Sequence, residues 1–458
     1  MATELDQGSA RSEPGGLHRA IGPKMLLLFI VGDILGAGIY AISGRVAGEV
    51  GGAAWVPFLV AFVLAALTAA SYAELVGKYP QAAGAALYTN RAFDRPFLTF
   101  MVAFTVMASG ITSASTAALA FGGRYLQEFV TLPTVLVALG FVLVLALVNF
   151  RGVQESMRVN AVLTIVELSG LIVILVIGAI VLLRGEGDPS RALQFDTGSD
   201  PLWLGILGGS ALAFFAMLGF EDSVNMAEET EAPHRNYPRA LFAGLAITGT
   251  VYLAVAFVST MVVPVDVLKA SSGPLLEVVH RAGVSFPPEL FALIALLAVS
   301  NTALMNMLMA SRLVYGMSRE RVLPSVLGSV HSRRRTPWVA IAFTSLLAAG
   351  LVASAADLAP LAETTVLLLL IVFGIVNVSV LVLRRQPAPS DRPHFRTPTF
   401  APVLGALACV VLASPLTGRS ATVYLYAAGL LGLGAALWAV NRLLVGRVRF
   451  DPERLDLG

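Results

Sequence analysis

The chain has 458 residues, 57% of them hydrophobic and only 13% charged, with a mean hydropathy of +0.79 and a net charge of +2. A soluble domain is typically about a quarter charged, so this composition excludes a water-soluble enzyme and indicates an all-α polytopic membrane protein. Cys409 is the only cysteine and the five histidines are scattered, which leaves no intrachain disulfide, no metal-ligand set and no expected cofactor.

Residues 1–20 are polar and contain Glu4, Asp6 and Glu13; they read as a tail. Apolar runs of about twenty residues follow, each long enough for a hydrocarbon core of about 30 Å. Twelve spans are predicted, near 24–48, 54–77, 96–121, 133–150, 159–183, 203–228, 239–263, 287–318, 338–355, 361–383, 400–416 and 422–441. The first is too long for a signal-peptide core and lacks a small-residue cleavage site, so it is taken as a retained span. The eleventh is the shortest and is interrupted by Pro415. Loop 184–201 mixes acidic and basic residues, 264–286 has room for a short surface helix, and 320–336 and 386–399 are basic loops with prolines.

Sidedness follows from the basic residues. With the N-terminus inside, 24 of the 31 lysines and arginines fall in cytoplasmic segments and 7 outside, from Arg45 to Arg419. Both termini are then cytoplasmic. The basic residues lie in loops, which gives no reason to expect a nucleic-acid partner.

Two spans are interrupted. The first carries Gly32-Asp33-Ile34-Leu35-Gly36-Ala37-Gly38-Ile39-Tyr40 at its centre, and the sixth carries Phe215-Ala216-Met217-Leu218-Gly219-Phe220-Glu221-Asp222. Glycine weakens a helix and lets backbone approach a neighbour closely. Unwound backbone at membrane depth persists only when buried in protein or lining a cavity. The interruptions are five spans apart, so they cross in opposite directions. Corresponding interruptions in two halves point to a transporter site between inverted repeats. The fifth span holds one further carboxylate, Glu167, inside a run from Ala161 to Leu171. An ionisable group inside a span is a functional candidate by default.

Several of these stretches carry a resemblance. The first-span motif, Ser71-Tyr72-Ala73-Glu74-Leu75 with Tyr79-Pro80 and Gly84-Ala85-Ala86-Leu87-Tyr88, Gly219-Phe220-Glu221 with Ala227-Glu228-Glu229 and Pro238-Arg239, and Ser311-Arg312 with Tyr315-Gly316-Met317-Ser318-Arg319 occur in order on matching spans. Together they resemble the amino acid–polyamine–organocation (APC) transporters, in particular the branch of cationic amino acid transporter-like proteins.

That resemblance implies a LeuT-type fold, a 5+5 inverted repeat with two additional helices and 12 transmembrane helices. Its divisions here are a 1–20 tail, repeat one over 21–200, repeat two over 201–385, helices 11–12 over 386–445 and a 446–458 tail. It implies a plasma-membrane transporter of amino acids or related amines, not an enzyme, working by alternating access. Proton symport is the expected mode; exchange, sodium symport and a non-transporting amino acid sensor are the alternatives.

In such a site the N–H groups around Gly36, Ala37 and Gly38 would hold the substrate carboxylate, because a helix N-terminus presents free donors and a positive dipole end. Carbonyls near Phe215, Ala216 and Leu218, next to Gly219, would take the ammonium, with Ile34 assisting. Phe215 would act as a gate; Phe220 borders the same break. The family often has a lysine where this chain has Glu167, so Glu167 is a proton-coupling candidate, with a purely structural hydrogen bond as the other reading. Asp33 has three possible roles: taking a proton, holding a cationic substrate or pairing with a buried cation. Ser300 and Asn301 are candidates for a sodium site or for hydrogen bonding to Glu167. Ser109, Thr112, Ser113 and Ser115 are candidates for the pocket wall. Ala216 and Met217 lean towards a neutral substrate side chain and Asp33 towards a cationic one.

Overall fold

The structure, a computed structural model, describes residues 21–81, 84–151, 157–334, 336–355, 357–386 and 393–446. The expected tail 1–20, residues 447–458 of the second tail, Arg335 and Arg392 lie outside the described residues. Regular structure among the described residues is helical throughout. The only β pairings there are isolated bridges, Ile21 with Thr230 and Gly51 with Phe195. Apolar segments of this length have to satisfy their own backbone, and the helix does so within one segment.

In chain order the helices are α1 (Pro23–Leu35), α2 (Ala37–Val50), α3 (Trp55–Lys78), α4 (Gly84–Phe93), α5 (Pro96–Ala120), α6 (Thr134–Arg151), α7 (Met157–Leu183), α8 (Leu202–Ala213), α9 (Pro233–Val262), α10 (Val265–Ala270), α11 (Pro274–Arg281), α12 (Pro288–Arg319), α13 (Trp338–Ser354), α14 (Ala359–Leu383), α15 (Phe400–Ala413) and α16 (Ala421–Val445). Five of them begin with proline, whose missing N–H costs nothing at a helix start. Nine helical segments are long and apolar enough to cross a membrane, and the pair α1 and α2, bent by 40°, makes a tenth if counted as one broken span. α13 and α15 are apolar but shorter. Leu183, Leu346, Leu425 and Leu443 are 70% or more exposed, an apolar exterior suited to lipid.

Three local results differ from the sequence reading. The segment 264–286 forms two short helices, α10 and α11, rather than one. The stretch between the second and third predicted spans contains a further helix, α4. The sixth span is helical only to Ala213; it continues as a 3-10 turn (Phe214–Met217), an extended Leu218 and a second 3-10 turn (Asp222–Met226).

The interior is built on α5, α12 and α14. α12 packs along α5, α14 along α5 and α15, and α3 along α9; α1 lies against α7 and α9, and α2 against α8 and α10. One polar seam runs through this interior. Asn377 of α14 accepts from the Ser71 hydroxyl at 2.6 Å and donates to Thr68 at 3.1 Å, all three fully buried. At the end of the same seam Arg384 donates to Glu74 from Nε at 2.7 Å and from Nη2 at 2.6 Å. The backbone N–H of Thr397 donates to Glu74 at 2.8 Å, and Lys78 donates to the Leu383 carbonyl at 2.5 Å. This seam fixes α3 and α14 beside the two broken spans.

Candidate functional site

The chain leaves helical geometry between α1 and α2 at Gly36, where φ is −16° and ψ −155°. The second break passes Gly219 at φ +115°, a region that a side chain rarely adopts. The two breaks touch each other. A Cβ at Gly219 would lie 2.5 Å from the Asp33 carbonyl oxygen, and a Cβ at Gly38 would lie 2.5 Å from the Cα of Ala216. Glycine at 38 and 219 is therefore what lets the two interrupted backbones meet.

The helix ends produced by the breaks have opposite polarity. α2 starts at Ala37 and presents N–H groups; α1 stops at Leu35 and α8 stops before Phe214, both presenting carbonyls. A cavity opens on these ends. Its wall includes Asp33, Ile34, Gly36, Ala37 and Gly38 from the first break and Phe215, Leu218 and Gly219 from the second. α5 contributes Ser109, Gly110 and Ser113, α12 contributes Thr302, Asn306 and Met309, and α14 contributes Thr365. From the breaks the cavity runs towards the end of the molecule where α4 begins, past Gly84, Ala85 and Leu313. Among the described residues its lining carries three carboxylates, Asp33, Glu221 and Asp222, and no lysine, arginine or histidine.

The sequence candidates fall into two groups. Ile34, Gly36, Ala37, Gly38, Phe215, Leu218, Gly219 and Asp33 share the cavity wall, as do Ser109 and Ser113. Ala216 lies behind it, packed on Gly38. Thr112 faces α14 and receives a hydrogen bond from Thr365 at 2.7 Å, while Ser115 turns back to the Ile111 carbonyl. Phe220 is fully buried among Tyr72 and Phe373, with ring centroids 6.0 and 5.4 Å away, and does not line the cavity.

Glu167 and Ser300 also stand off the cavity. Glu167 is 1% exposed on α7; Asn301 of α12 donates to its Oε1 at 3.1 Å, and its Oε2 has no hydrogen-bond partner among the described residues. The Glu167 main-chain carbonyl receives the Tyr40 hydroxyl at 2.7 Å, which joins α7 to α2. Ser300 donates to the Leu296 carbonyl of its own helix at 2.6 Å. It is Asn301, one residue on, that reaches Glu167.

Three residues at the breaks were not singled out from the sequence. Tyr252 of α9 donates to the Ile34 carbonyl at 2.6 Å. Thr302 accepts from the Ala37 N–H at 2.8 Å, and Asn306 donates to the Thr302 carbonyl at 2.9 Å. Thr302 and Asn306 are four residues apart in an apolar helix, a spacing that puts them on one face and was legible. Nothing in the sequence around Tyr252 distinguishes it from a packing tyrosine.

Comparison with known proteins places these features in a lineage. Residues 21–435 match the family described as amino acid permease. The branched-chain amino acid permease BcaP of Bacillus subtilis is 26% identical over 427 residues, covering 88% of this chain and 89% of that protein. An uncharacterised transporter of Mycobacterium tuberculosis is 29% identical over 443 residues, covering 96% and 95%. The vacuolar cationic amino acid transporter 4 of Arabidopsis thaliana is 30% identical over 395 residues, covering 82% of this chain and 64% of that protein.

Proposed function

The chain belongs to the amino acid permease family, as a multi-pass membrane transporter rather than an enzyme, and from that premise we propose that it carries an amino acid across the plasma membrane by alternating access about the two touching breaks. The observation that carries this reading is one cavity bounded by helix ends of opposite polarity. A zwitterion needs donors and acceptors a few ångströms apart, and that pairing of ends supplies both without a charged side chain.

In this reading the substrate carboxylate sits at the start of α2, on the N–H groups of Gly36 and Gly38, that of Ala37 being held by Thr302. The ammonium faces the carbonyls of Phe215 and Leu218 beyond the end of α8. The Ile34 carbonyl already accepts from Tyr252 and the Phe215 carbonyl from the Leu218 N–H, which leaves each a single lone pair for the ammonium. Phe215, which is 6% exposed and lines the cavity, is proposed as its gate. The fold is read as a LeuT-type 5+5 inverted repeat plus two helices, twelve spans in all. Support comes from the two breaks five spans apart and from the apolar helices α13 and α15, which supplement the longer spans. The excess of basic residues on the side of the N-terminus supports cytoplasmic termini. With the termini inside, the part of the lining next to α4 lies towards the cytoplasm, and the conformation is read as inward-facing.

Glu167 is proposed as the proton-coupling group. It is held by Asn301, and the next residue along α12, Thr302, holds the start of α2. A change of charge at Glu167 therefore has a short route to the break, through two hydrogen bonds and the peptide link between Asn301 and Thr302. The test is uptake of a panel of radiolabelled amino acids into proteoliposomes under an imposed proton gradient, an imposed sodium gradient or internal amino acid alone. Concentrative uptake driven by the proton gradient supports symport. Uptake only against internal substrate establishes exchange, and binding without uptake establishes a sensor. Proton-driven uptake that survives Glu167→Gln removes Glu167 from the coupling mechanism.

A further inference from the structure

The start of α2 should leave its first N–H groups without intrahelical partners, and Gly36, in the capping position, has no side chain to offer them. The cap comes instead from 265 residues away, where Thr302 Oγ1 accepts from the Ala37 N–H at 2.8 Å. The direction of this bond is fixed. The single hydroxyl proton of Thr302 is committed to the Ala298 carbonyl at 3.1 Å, so a lone pair faces Ala37. The approach depends on Gly36, since a Cβ there would lie 2.5 Å from the same hydroxyl oxygen. Thr302 and the residues of the break line one cavity, so the capped N–H belongs to the wall a ligand would touch. The opposite end of the break is held in the same manner, by the Tyr252 hydroxyl on the Ile34 carbonyl.

We propose that Thr302 is a positioning residue for the substrate carboxylate. By occupying the Ala37 N–H it anchors the start of α2 to α12 before any ligand arrives, and the flanking N–H groups of the Gly36–Gly38 stretch are left pointing into the cavity in a fixed arrangement. Affinity gained this way comes from preorganisation, because the break does not have to be ordered at the moment of binding. The carboxylate then binds beside Ala37 rather than on it.

This inference rests on the reading of the break as the carboxylate site, and its test separates the two. Binding of L-leucine, L-lysine and their carboxamides is measured on the full-length protein, together with hydrogen exchange across residues 36–41. The variants are Thr302→Val, Thr302→Ala and Thr302→Ser. Losing one such hydrogen bond costs about 0.5–1.5 kcal/mol, or up to about tenfold in affinity. The expected result is a fall of about that size for the acid, none for its carboxamide, and faster exchange after the break in the Val and Ala variants, with both restored by Ser. A structural defect would weaken acid and amide alike. An acid-to-amide preference unchanged in Val and Ala, or exchange no faster than in the parent, overturns the role of Thr302. If the parent protein does not distinguish acid from amide at all, the carboxylate reading falls, and the exchange data alone decide whether Thr302 holds the break.

Discussion

The seam between α3 and α14 and the two broken spans both carry polar groups deep among apolar helices, and they treat them in opposite ways. In the seam the helices are regular, and the groups are closed by side-chain partners: Asn377 with Ser71 and Thr68, Arg384 with Glu74. At the breaks main-chain N–H and carbonyl groups border a cavity beside the carboxylates Asp33, Glu221 and Asp222; side chains hold some of them, as Thr302 does at Ala37 and Tyr252 at Ile34, and the rest of the released backbone faces the cavity. A polar residue inside an apolar segment therefore carries two meanings. A closed network staples helices together, whereas backbone released from its helix is open to a ligand. Stability should reside in the first region and transport in the second.

The largest test of that division is Glu74→Ala. It leaves Arg384, whose side chain is 11% exposed, without its carboxylate. Stranding one partner of a buried pair typically costs about 3–5 kcal/mol. A steep drop in melting temperature is expected, with the surviving folded fraction binding substrate at the parent affinity. Next is Gly219→Ala, which combines a φ of +115° with a Cβ 2.5 Å from the Asp33 carbonyl. Such strain costs about 1–3 kcal/mol. It falls on the contact between the breaks, so uptake should fall by about tenfold to a hundredfold while melting shifts by only a few degrees.

Asn377→Leu is smaller. It removes hydrogen bonds from Ser71 and Thr68 at a cost of about 1–3 kcal/mol. Melting should move and the concentration dependence of uptake should not. If uptake changes instead, the seam is part of the transport path and the division fails. Ser300→Ala is expected to be near neutral in both measurements, within about 0.5 kcal/mol, because among the described residues its hydroxyl bonds only to its own helix. A loss of ion-driven uptake in that variant would restore Ser300 to the coupling site.

Most of the helical layout was legible because each span is a long apolar run, and the two breaks announced themselves by glycine beside acids. Side-chain direction was not legible. Ser300 and Asn301 are adjacent polar residues on one helix; the structure turns one back to Leu296 and sends the other to Glu167. Periodicity cannot make that choice, because it depends on which helix packs alongside. Ala216 was expected beside Phe215 among the carbonyls of the second break, yet the 3-10 turn sets it behind the wall, onto Gly38. Tyr252, and the partner of Thr302 though not its place on a polar face, stayed hidden for a related reason. Each acts on backbone more than two hundred residues away, through contacts that only the assembled fold creates.

Substrate protection of a cysteine placed in the cavity tests the central claim most directly. With the buried Cys409 replaced by serine, Ser109→Cys puts a thiol on the cavity wall across from the breaks, and Ser329→Cys puts a control outside the cavity lining. The account predicts that the transported amino acid slows modification of the thiol at 109 in proportion to its occupancy and leaves the thiol at 329 unaffected. Equal modification of position 109 with and without saturating substrate would contradict it, and would place the substrate site elsewhere than at the meeting of the two breaks.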